Sequence, residues 1–301
     1  MTRVLITGAR GQVGWEVARV LHPFFELVTP DRHELDLDRP GDVGPVVERL
    51  APDLIVNCAA YTAVDRAEQD QDAARRVNAD SVAELARAAR ILGAPLVHFS
   101  TDYVFPGNAS SPYRESDATG PLSVYGRTKL AGELALAESG AAYWVFRTSW
   151  VYAARGRNFV KAILARARDA GQLRVVDDQK GSPTWARTLA EVVGAIVVPH
   201  AGSRADLVRH ADHTGGIYHL TSRGEATWYE FACFVIDRLQ ASIGRPVEIT
   251  PVSTAEFPTA AKRRRIRCSI QPSCATHSES HCPTGKRRRA CASRSWTPDN
   301  Q

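Results

Sequence analysis

Tyr125 and Lys129 stand four residues apart in Tyr125-Gly126-Arg127-Thr128-Lys129, the spacing that places two side chains on one face of a helix. A lysine ammonium beside a phenol stabilises the phenolate and lowers a pKa otherwise near ~10, which suits the pair to proton transfer at neutral pH. Just upstream, Ser100-Thr101-Asp102 supplies hydroxyls and a carboxylate immediately after the apolar run Leu96-Val97-His98-Phe99. That run predicts a strand, and open α/β sheets bind ligands at the carboxyl ends of their strands. A second group of residues lies near the start of the chain. Gly8, Gly11 and Gly14, with Gln12 and Val13 between them, follow the strand-like Val4-Leu5-Ile6-Thr7 and lead into a helical pattern from Trp15 to Leu21. Glycines so placed allow a tight turn, a close backbone approach to a pyrophosphate and close helix–strand packing, while the helix N-terminus offers N–H groups to phosphate.

The elements that must position these groups alternate along the chain. A strand from Phe25 to Thr29 ends at Pro30-Asp31-Arg32. An acidic residue there reads a ribose hydroxyl and an arginine accepts a 2′-phosphate, so Asp31 and Arg32 together leave NADH and NADPH both open. Asp36 and Leu37 continue past this strand towards the adenine. A helix is predicted around Val43 to Leu50, a strand from Leu54 to Asn57, and a long helix from about Asp72 to Leu92. Ala60, Tyr61 and Thr62 follow the third strand, on the edge where a dinucleotide lies. Asn78, inside the long helix, reads as an exposed helical asparagine. Strands without internal polar positions, alternating with helices, predict an α/β fold: a Rossmann-type doubly wound parallel sheet with a smaller α/β substrate-binding lobe.

With 44% hydrophobic and 24% charged residues among 301, the composition is that of an ordinary globular chain. No apolar run approaches the ~20 residues that span a bilayer, and no secretory leader precedes the first strand. The expectation is a cytoplasmic protein with no membrane partner. The net charge of +5 suggests nucleic-acid binding only until it is divided along the chain. Residues 261–301 hold ten Lys/Arg against two Asp/Glu, whereas residues 1–260 hold 28 against 31. The body is mildly acidic, so no nucleic-acid partner is expected. Its two cysteines, Cys58 and Cys233, lie in apolar surroundings and read as buried thiols of a reducing compartment.

Over residues 1 to about 260 the sequence resembles the extended short-chain dehydrogenase/reductases and, within them, the dTDP-4-dehydrorhamnose reductase family. The general part of the resemblance is Gly8, Gly11 and Gly14, Thr101, and Tyr125 with Lys129. The more specific part begins with Gly-Gln-Val-Gly-Trp-Glu at 11–16, Tyr-Thr-Ala-Val-Asp at 61–65 and Ser-Thr-Asp-Tyr-Val-Phe-Pro-Gly at 100–107. It continues with Pro-Leu-Ser-Val-Tyr-Gly-Arg-Thr-Lys at 121–129, Phe-Arg-Thr-Ser-Trp-Val-Tyr at 146–152 and Asp-Asp-Gln-Lys-Gly-Ser-Pro-Thr at 177–184. The resemblance implies NADPH- or NADH-dependent reduction of the 4-keto group of dTDP-4-dehydro-L-rhamnose to dTDP-L-rhamnose. It implies Tyr125 as proton donor, Lys129 as the group that lowers the tyrosine pKa and holds the nicotinamide ribose, and Thr101 as a donor near the reacting oxygen. Asp102 and Trp150 match positions beside the sugar, the indole being placed to cover the hexose. Some members bridge a homodimer through magnesium held by glutamates, for which Glu16 and Glu191 are the candidates here; no other metal is implied. One relative of this fold is a non-catalytic regulatory subunit of methionine adenosyltransferase, and others are reductases or epimerases of other nucleotide sugars. The intact Thr101, Tyr125 and Lys129 favour the enzyme.

Residues 1–148, with about 184–215, are expected to bind the coenzyme, and about 149–183 with 216–260 the nucleotide sugar. Asn158-Phe159-Val160 starts a helix ending near Asp169, Leu173 to Val176 is a short strand, and a helix from Thr184 to Val198 returns to the coenzyme domain. The His/Arg/Asp-rich stretch 200–215 reads as a surface loop, in which no element fixes a metal-binding spacing for His200, His210 and His213. Gly216 to Leu220 and a helix from Trp228 to Leu239 are assigned to the small lobe. From residue 261 the pattern stops. Lys262-Arg263-Arg264-Arg265 and Lys286-Arg287-Arg288-Arg289 flank a Ser/Thr/His/Cys segment with no hydrophobic period, a composition expected to be disordered. Cys268, Cys274, Cys282 and Cys291 have no zinc-finger spacing. Codon degeneracy allows the same nucleotides, in a shifted frame, to encode a typical family ending, so a frameshift near residue 261 accounts best for this tail.

Overall fold

The structure, a computed structural model, describes residues 1–109 and 111–261; the expectations for the basic tail, its cysteines and the frameshift lie outside the described residues. The first half of the chain runs β1 (Arg3–Thr7), α1 (Gln12–Leu21), β2 (Glu26–Val28), α2 (Pro40–Leu50), β3 (Leu54–Asn57), α3 (Val64–Ala67) and α4 (Gln71–Arg75). A π-helical turn, Arg76–Asp80, leads into α5 (Ser81–Leu92), then β4 (Leu96–Thr101), a 3-10 turn (Asp102–Val104), α6 (Val124–Glu138) and β5 (Tyr143–Thr148). There follow β6 (Val151–Tyr152), α7 (Phe159–Asp169), β7 (Gln172–Val176), β8 (Lys180–Gly181), β9 (Thr184–Trp185) and α8 (Ala186–Val197). The last described elements are α9 (Arg204–Thr214), β10 (Gly216–His219), β11 (Ala226–Thr227), α10 (Trp228–Ile243) and β12 (Glu248–Val252).

Successive side chains of a strand point to opposite faces, and here both faces are apolar. Val4, Ile6, Leu54, Val56, Phe99 and Phe146 pack against Val17 and Leu21 of α1, Leu189 and Val193 of α8 and Leu207 of α9. Their neighbours Leu5, Ile55, Leu96 and Val145 pack against Val43 and Val47 of α2, Leu85 of α5 and Leu136 of α6. Burial on both faces is why these strands carry unbroken apolar runs, and it dictates the parallel, doubly wound arrangement. The sheet has six strands in the order β10-β5-β4-β3-β1-β2. Its strand order reverses between β1 and β3, the position where such sheets open a crevice at their carboxyl edge. A separate cluster joins Ile163 and Ala167 of α7, Leu173 and Val175 of β7, and Phe231, Val235 and Ile236 of α10. Parallel pairing of β7 with β12 completes this smaller α/β unit.

Three expectations are corrected. The stretch 200–215 is not a loop: α9 occupies Arg204–Thr214, with Ser203 Oγ accepting the Asp206 N–H at 3.1 Å as an N-cap. Leu207 and Ala211, four apart, carry its buried stripe, too narrow to stand out among its many charged and histidine residues. Gly216 to His219 belongs to the main sheet rather than the small lobe, running parallel to β5 with Gly216 opposite Trp144 and His219 opposite Arg147. The long helix expected from Asp72 to Leu92 is interrupted by its π turn, a feature that recurs at functional sites.

Candidate active site

The glycine loop turns sharply between β1 and α1. Gly8 has φ +67°, and a Cβ there would stand 2.8 Å from the Ala59 backbone; one at Gly14 would stand 2.3 Å from the Gly8 carbonyl oxygen. Side chains are excluded from both positions, so the backbone is open to a ligand and α1 sits close on the sheet. A cleft of about 930 Å³ begins at this loop. Gly8, Asp31, Arg32, Asp36, Leu37, Ala60, Tyr61 and Thr62 are all in its walls, as the sequence predicts. Gly11, Gln12, Val13 and Gly14 lie at the start of α1 behind that wall. The Gln12 side chain turns to the small unit instead, where Oε1 accepts from Asn158 Nδ2 at 2.8 Å and Nε2 donates to the Arg157 carbonyl at 3.3 Å.

The charges in this cleft are already paired with one another. Asp31 accepts the His33 N–H at 2.8 Å and the Glu34 N–H at 3.3 Å, and Arg10 of the glycine loop approaches it at 3.5 Å. These contacts, the His33 N–H first, hold its carboxyl below the usual range. The Arg32 guanidinium, expected to stand ready for a 2′-phosphate, instead pairs with Asp36 at 3.1 Å and Asp38 at 3.5 Å. Arg10, whose side chain is 88% exposed, is a cleft cation that the sequence reading missed. A loop with no room for a Cβ at Gly8 or Gly14, a helix N-terminus and a carboxylate at the end of β2 together fit a dinucleotide.

Beyond the carboxyl end of β4, α6 begins where Ser123 Oγ accepts the Gly126 N–H at 3.1 Å and Glu68 Oε1 accepts the Val124 N–H at 2.8 Å. Gly126 lets α6 press on the 3-10 turn, since a Cβ there would meet the Tyr103 carbonyl oxygen at 2.3 Å. That contact brings Tyr125 to Thr101. The Tyr125 ring packs beside Tyr61 against Ala67, Ala74 and Val124, and meets Tyr103 edge-on at 5.4 Å. Thr101 Oγ1 donates to Asp102 Oδ1 at 3.1 Å and accepts the Tyr103 N–H at 3.2 Å. Thr148, its cross-strand partner on β5, carries a buried Oγ1 with no hydrogen-bond partner among the described residues. Burial pushes the Tyr125 hydroxyl up, against the pull of a hydrogen bond with Thr101 and with a further push from Asp102.

The expected pairing of Lys129 with Tyr125 is not present. Among the described residues no hydrogen bond joins them; Lys129 Nζ donates to the Phe99 carbonyl at 2.8 Å and lies 2.9 Å from His98 Nε2. Four residues apart puts two side chains on one face of a helix, but Lys129 points into the sheet, where acceptors are available. Burial draws its pKa down to about 8, with Glu133 acting in the opposite sense. Glu133 itself is held in a buried pair, with Arg147 Nη2 at 2.7 Å and Ser100 Oγ also donating to it. The pair fastens α6 to β4 and β5 one turn beyond Lys129.

Asn78, expected to be exposed, is buried. Its Oδ1 accepts the Tyr61 N–H at 2.8 Å, and its Nδ2 donates to the Tyr61 carbonyl and to Thr128 Oγ1, both at 3.1 Å. It therefore ties the cleft wall after β3 to the helix of Tyr125. Only the π turn aims it there, and no local pattern announces such a turn. Trp150 also departs from expectation. Its backbone is left-handed (φ 47°), and its indole stacks on Trp228 with centroids 3.4 Å apart while its other side lies against Gly181. Both faces are covered, so only the edge can border a sugar. Glu16, one of the two glutamates named above for magnesium, bonds Arg19 at 3.0 Å and Arg187 at 3.2 Å, and Glu191, the other, is exposed on α8. Among the described residues no group of three or more His, Cys, Asp or Glu could hold a metal ion, and no helix is long and apolar enough to cross a membrane. Cys58 and Cys233 are free thiols, each only partly buried, and burial pushes the Cys58 pKa up.

A family model described as the RmlD substrate binding domain matches residues 1–269. The dTDP-4-dehydrorhamnose reductase of Burkholderia thailandensis is 45% identical over 266 residues, 87% of this chain and 88% of that one. A Streptomyces antibioticus protein named as a probable dTDP-4,6-dihydroxy-2-methyloxan-3-one 4-ketoreductase is 43% identical over 265 residues, 87% of this chain and 84% of that one. Among solved structures, the dTDP-4-dehydrorhamnose reductase of Bacillus anthracis in complex with NADP matches with a TM-score of 0.79 at 35% identity, covering 91% of this chain and 92% of that one. On the length and identity of these matches, and on the shared fold, this chain belongs to the dTDP-4-dehydrorhamnose reductase family.

Proposed function

We propose that this chain reduces the 4-keto group of dTDP-4-dehydro-L-rhamnose to dTDP-L-rhamnose, using NADPH or NADH. The observation that carries the proposal is the meeting of Tyr125, Thr101 and Asp102 at the carboxyl end of β4, with Tyr125 packed in one cluster with Tyr61 of the cleft wall. A reduced nicotinamide coenzyme supplies the hydride. Tyr125 donates the proton to the carbonyl oxygen. Burial that pushes its pKa up keeps the phenol protonated, which an acid requires. The Thr101 hydroxyl, positioned by Asp102 and the Tyr103 N–H, is the donor that favours an alkoxide over a ketone. Lys129, anchored on β4, binds the nicotinamide ribose. The edge of Trp150 borders the hexose. Residues 1–148 with α8, α9 and β10 bind the coenzyme, and the unit of α7, β7, α10 and β12 contributes the sugar-nucleotide side. The free Cys58 and Cys233 agree with a place in the cytoplasm.

The test is oxidation of NADPH and NADH by the purified full chain supplied with the dTDP-4-keto sugar, beside a version whose C-terminus is restored to the alternative reading frame. Turnover to dTDP-L-rhamnose is expected in at least the restored form. Coenzyme left unoxidised by both would overturn the proposal. A second reading, reduction of a different dTDP-4-keto sugar, is favoured by the 43% identity to the Streptomyces antibioticus protein. Supplying that protein's named keto sugar in the same assay separates the two. A non-catalytic subunit has no observation in its favour.

A further inference from the structure

The register of the main sheet places Thr7, Asn57 and His98 side by side on β1, β3 and β4. All three are buried, as is Lys129 of α6, which closes the row. Thr7 Oγ1 donates to Asn57 Oδ1 at 2.6 Å, Asn57 Nδ2 lies 3.0 Å from His98 Nδ1, and His98 Nε2 lies 2.9 Å from Lys129 Nζ. The direction of each bond follows from the one before. Among the described residues, Asn57 Oδ1 is the sole acceptor for the Thr7 hydroxyl proton, because the other contact of Thr7 Oγ1, at 3.4 Å, is with the Ala59 N–H, itself a donor. With Oδ1 so engaged, the amide turns its nitrogen to His98. An amide nitrogen can only donate, so Nδ1 must present a bare lone pair. The neutral imidazole then carries its one proton on Nε2, aimed at Lys129. An ammonium has no lone pair to receive it, whereas a neutral amine does. All four groups are satisfied together only when Lys129 is uncharged. Protonating Lys129 requires the ring proton to move to Nδ1 and the Asn57 amide to turn over, which leaves the buried Thr7 hydroxyl without an acceptor.

We propose that Thr7, Asn57 and His98 form a positioning chain that biases Lys129 towards its neutral amine in the coenzyme-free protein, so that the lysine gains its proton only with reversal of the Asn57 amide. The inference deepens the proposed reductase site and rests on Lys129 acting there. Burial of Lys129 acts in the same direction. The other charged and titratable groups around the row are few. Glu133, one turn further on α6, is held by Arg147 of β5, and Asp102 and Tyr103 of the 3-10 turn lie beside Tyr125. β1 and β3 bring only the uncharged Thr7 and Asn57.

The chain has five lysines and nine histidines, few enough to follow singly by NMR in the full protein without coenzyme or substrate. With ¹³Cε-lysine, and with Lys129→Arg to assign the signal, Lys129 is expected to titrate well below the others. Thr7→Val deletes the bond that fixes the amide at almost constant volume. It is expected to raise the Lys129 midpoint by about half a unit to one unit, the equivalent of one buried hydrogen bond. Asn57→Asp, whose carboxylate can only accept, is expected to raise it further. With ¹⁵N-histidine, and with His98→Gln for assignment, His98 of the native chain is expected to hold its proton on Nε2, a readout that does not depend on any variant folding. A Lys129 midpoint that stays put or falls in Thr7→Val, or a native His98 protonated on Nδ1 when Lys129 is neutral, overturns the inference. Because neither spectrum requires turnover, loss of the reductase reading in the activity assay is distinguishable from loss of this one.

Discussion

Removing Glu133 is the sharpest perturbation of the site's framework. Its carboxylate receives Arg147 Nη2 at 2.7 Å and Arg147 Nε at 3.1 and 3.2 Å, together with the Ser100 hydroxyl. The two side chains are 4% and 1% exposed. In Glu133→Ala the buried guanidinium loses the carboxylate that binds it through both Nε and Nη2, keeping the Glu115 carbonyl at 3.3 Å and the Phe105 ring at 5.0 Å. Breaking such a pair from one side costs about 3–5 kcal/mol. At ~2.1 cal/mol/K per residue, a chain of this length has an unfolding entropy near ~0.6 kcal/mol/K, so the apparent Tm falls by about 5–8 °C. The double variant Glu133→Leu with Arg147→Met removes both charges and should recover most of that loss, because desolvation opposes the native pair. Thermal unfolding followed by far-UV circular dichroism reads both variants. If the single variant unfolds within about 1 °C of the native chain, or if the double variant is the less stable of the two, the reasoning fails. Glu133 also opposes the lowering of the Lys129 pKa, so that pKa should fall further in the single variant.

Tyr125→Phe should lower kcat by about 10²–10⁴, the usual contribution of general acid catalysis, while the Kd for coenzyme stays within about twofold; full turnover would remove Tyr125 from its role. Gly181→Ala would set a methyl group 2.3 Å from Trp150 Cε2 and force the indole out of its place between Gly181 and Trp228. The KM for the sugar nucleotide should then rise about tenfold, near ~1.4 kcal/mol, with coenzyme binding unchanged; an unaltered KM would show that the indole plays no part in holding the sugar. The lowered Lys129 pKa predicts a pH effect on stability. Between about 8 and 10.5 the unfolded chain holds a proton on this lysine that the folded chain has released, so the native protein gains stability from it as pH rises through that window. Lys129→Met lacks this gain, and urea unfolding across the window should show the native chain improving relative to the variant by a few kcal/mol, ~1.4 per pKa unit. Parallel curves would contradict the lowered pKa.

The half of the molecule built around the glycine loop was legible in the sequence because its signals are local. Two glycines whose Cβ atoms have no room, the apolar runs of β1, β3, β4 and β5, and the turn after β2 each depend on neighbours within a few residues. The four-residue spacing of Tyr125 and Lys129 correctly put both on α6. What each side chain touches was not legible. Lys129 meets His98 across 31 positions of sequence, His98 meets Asn57 across 41, and Asn57 meets Thr7 across 50. Those encounters are set by strand register, and register is decided by how two apolar faces pack at once rather than by any one strand. The same holds for Asn78, aimed by a π turn, for Trp150, whose faces are taken by Gly181 and Trp228, and for β10, whose place beside β5 no local pattern states. The sequence by itself determined which chemical groups this protein carries and on which elements they ride. The tertiary structure alone decided that the lysine answers to a histidine instead of to the tyrosine, because a buried amine pairs with whatever acceptors the sheet register brings to it.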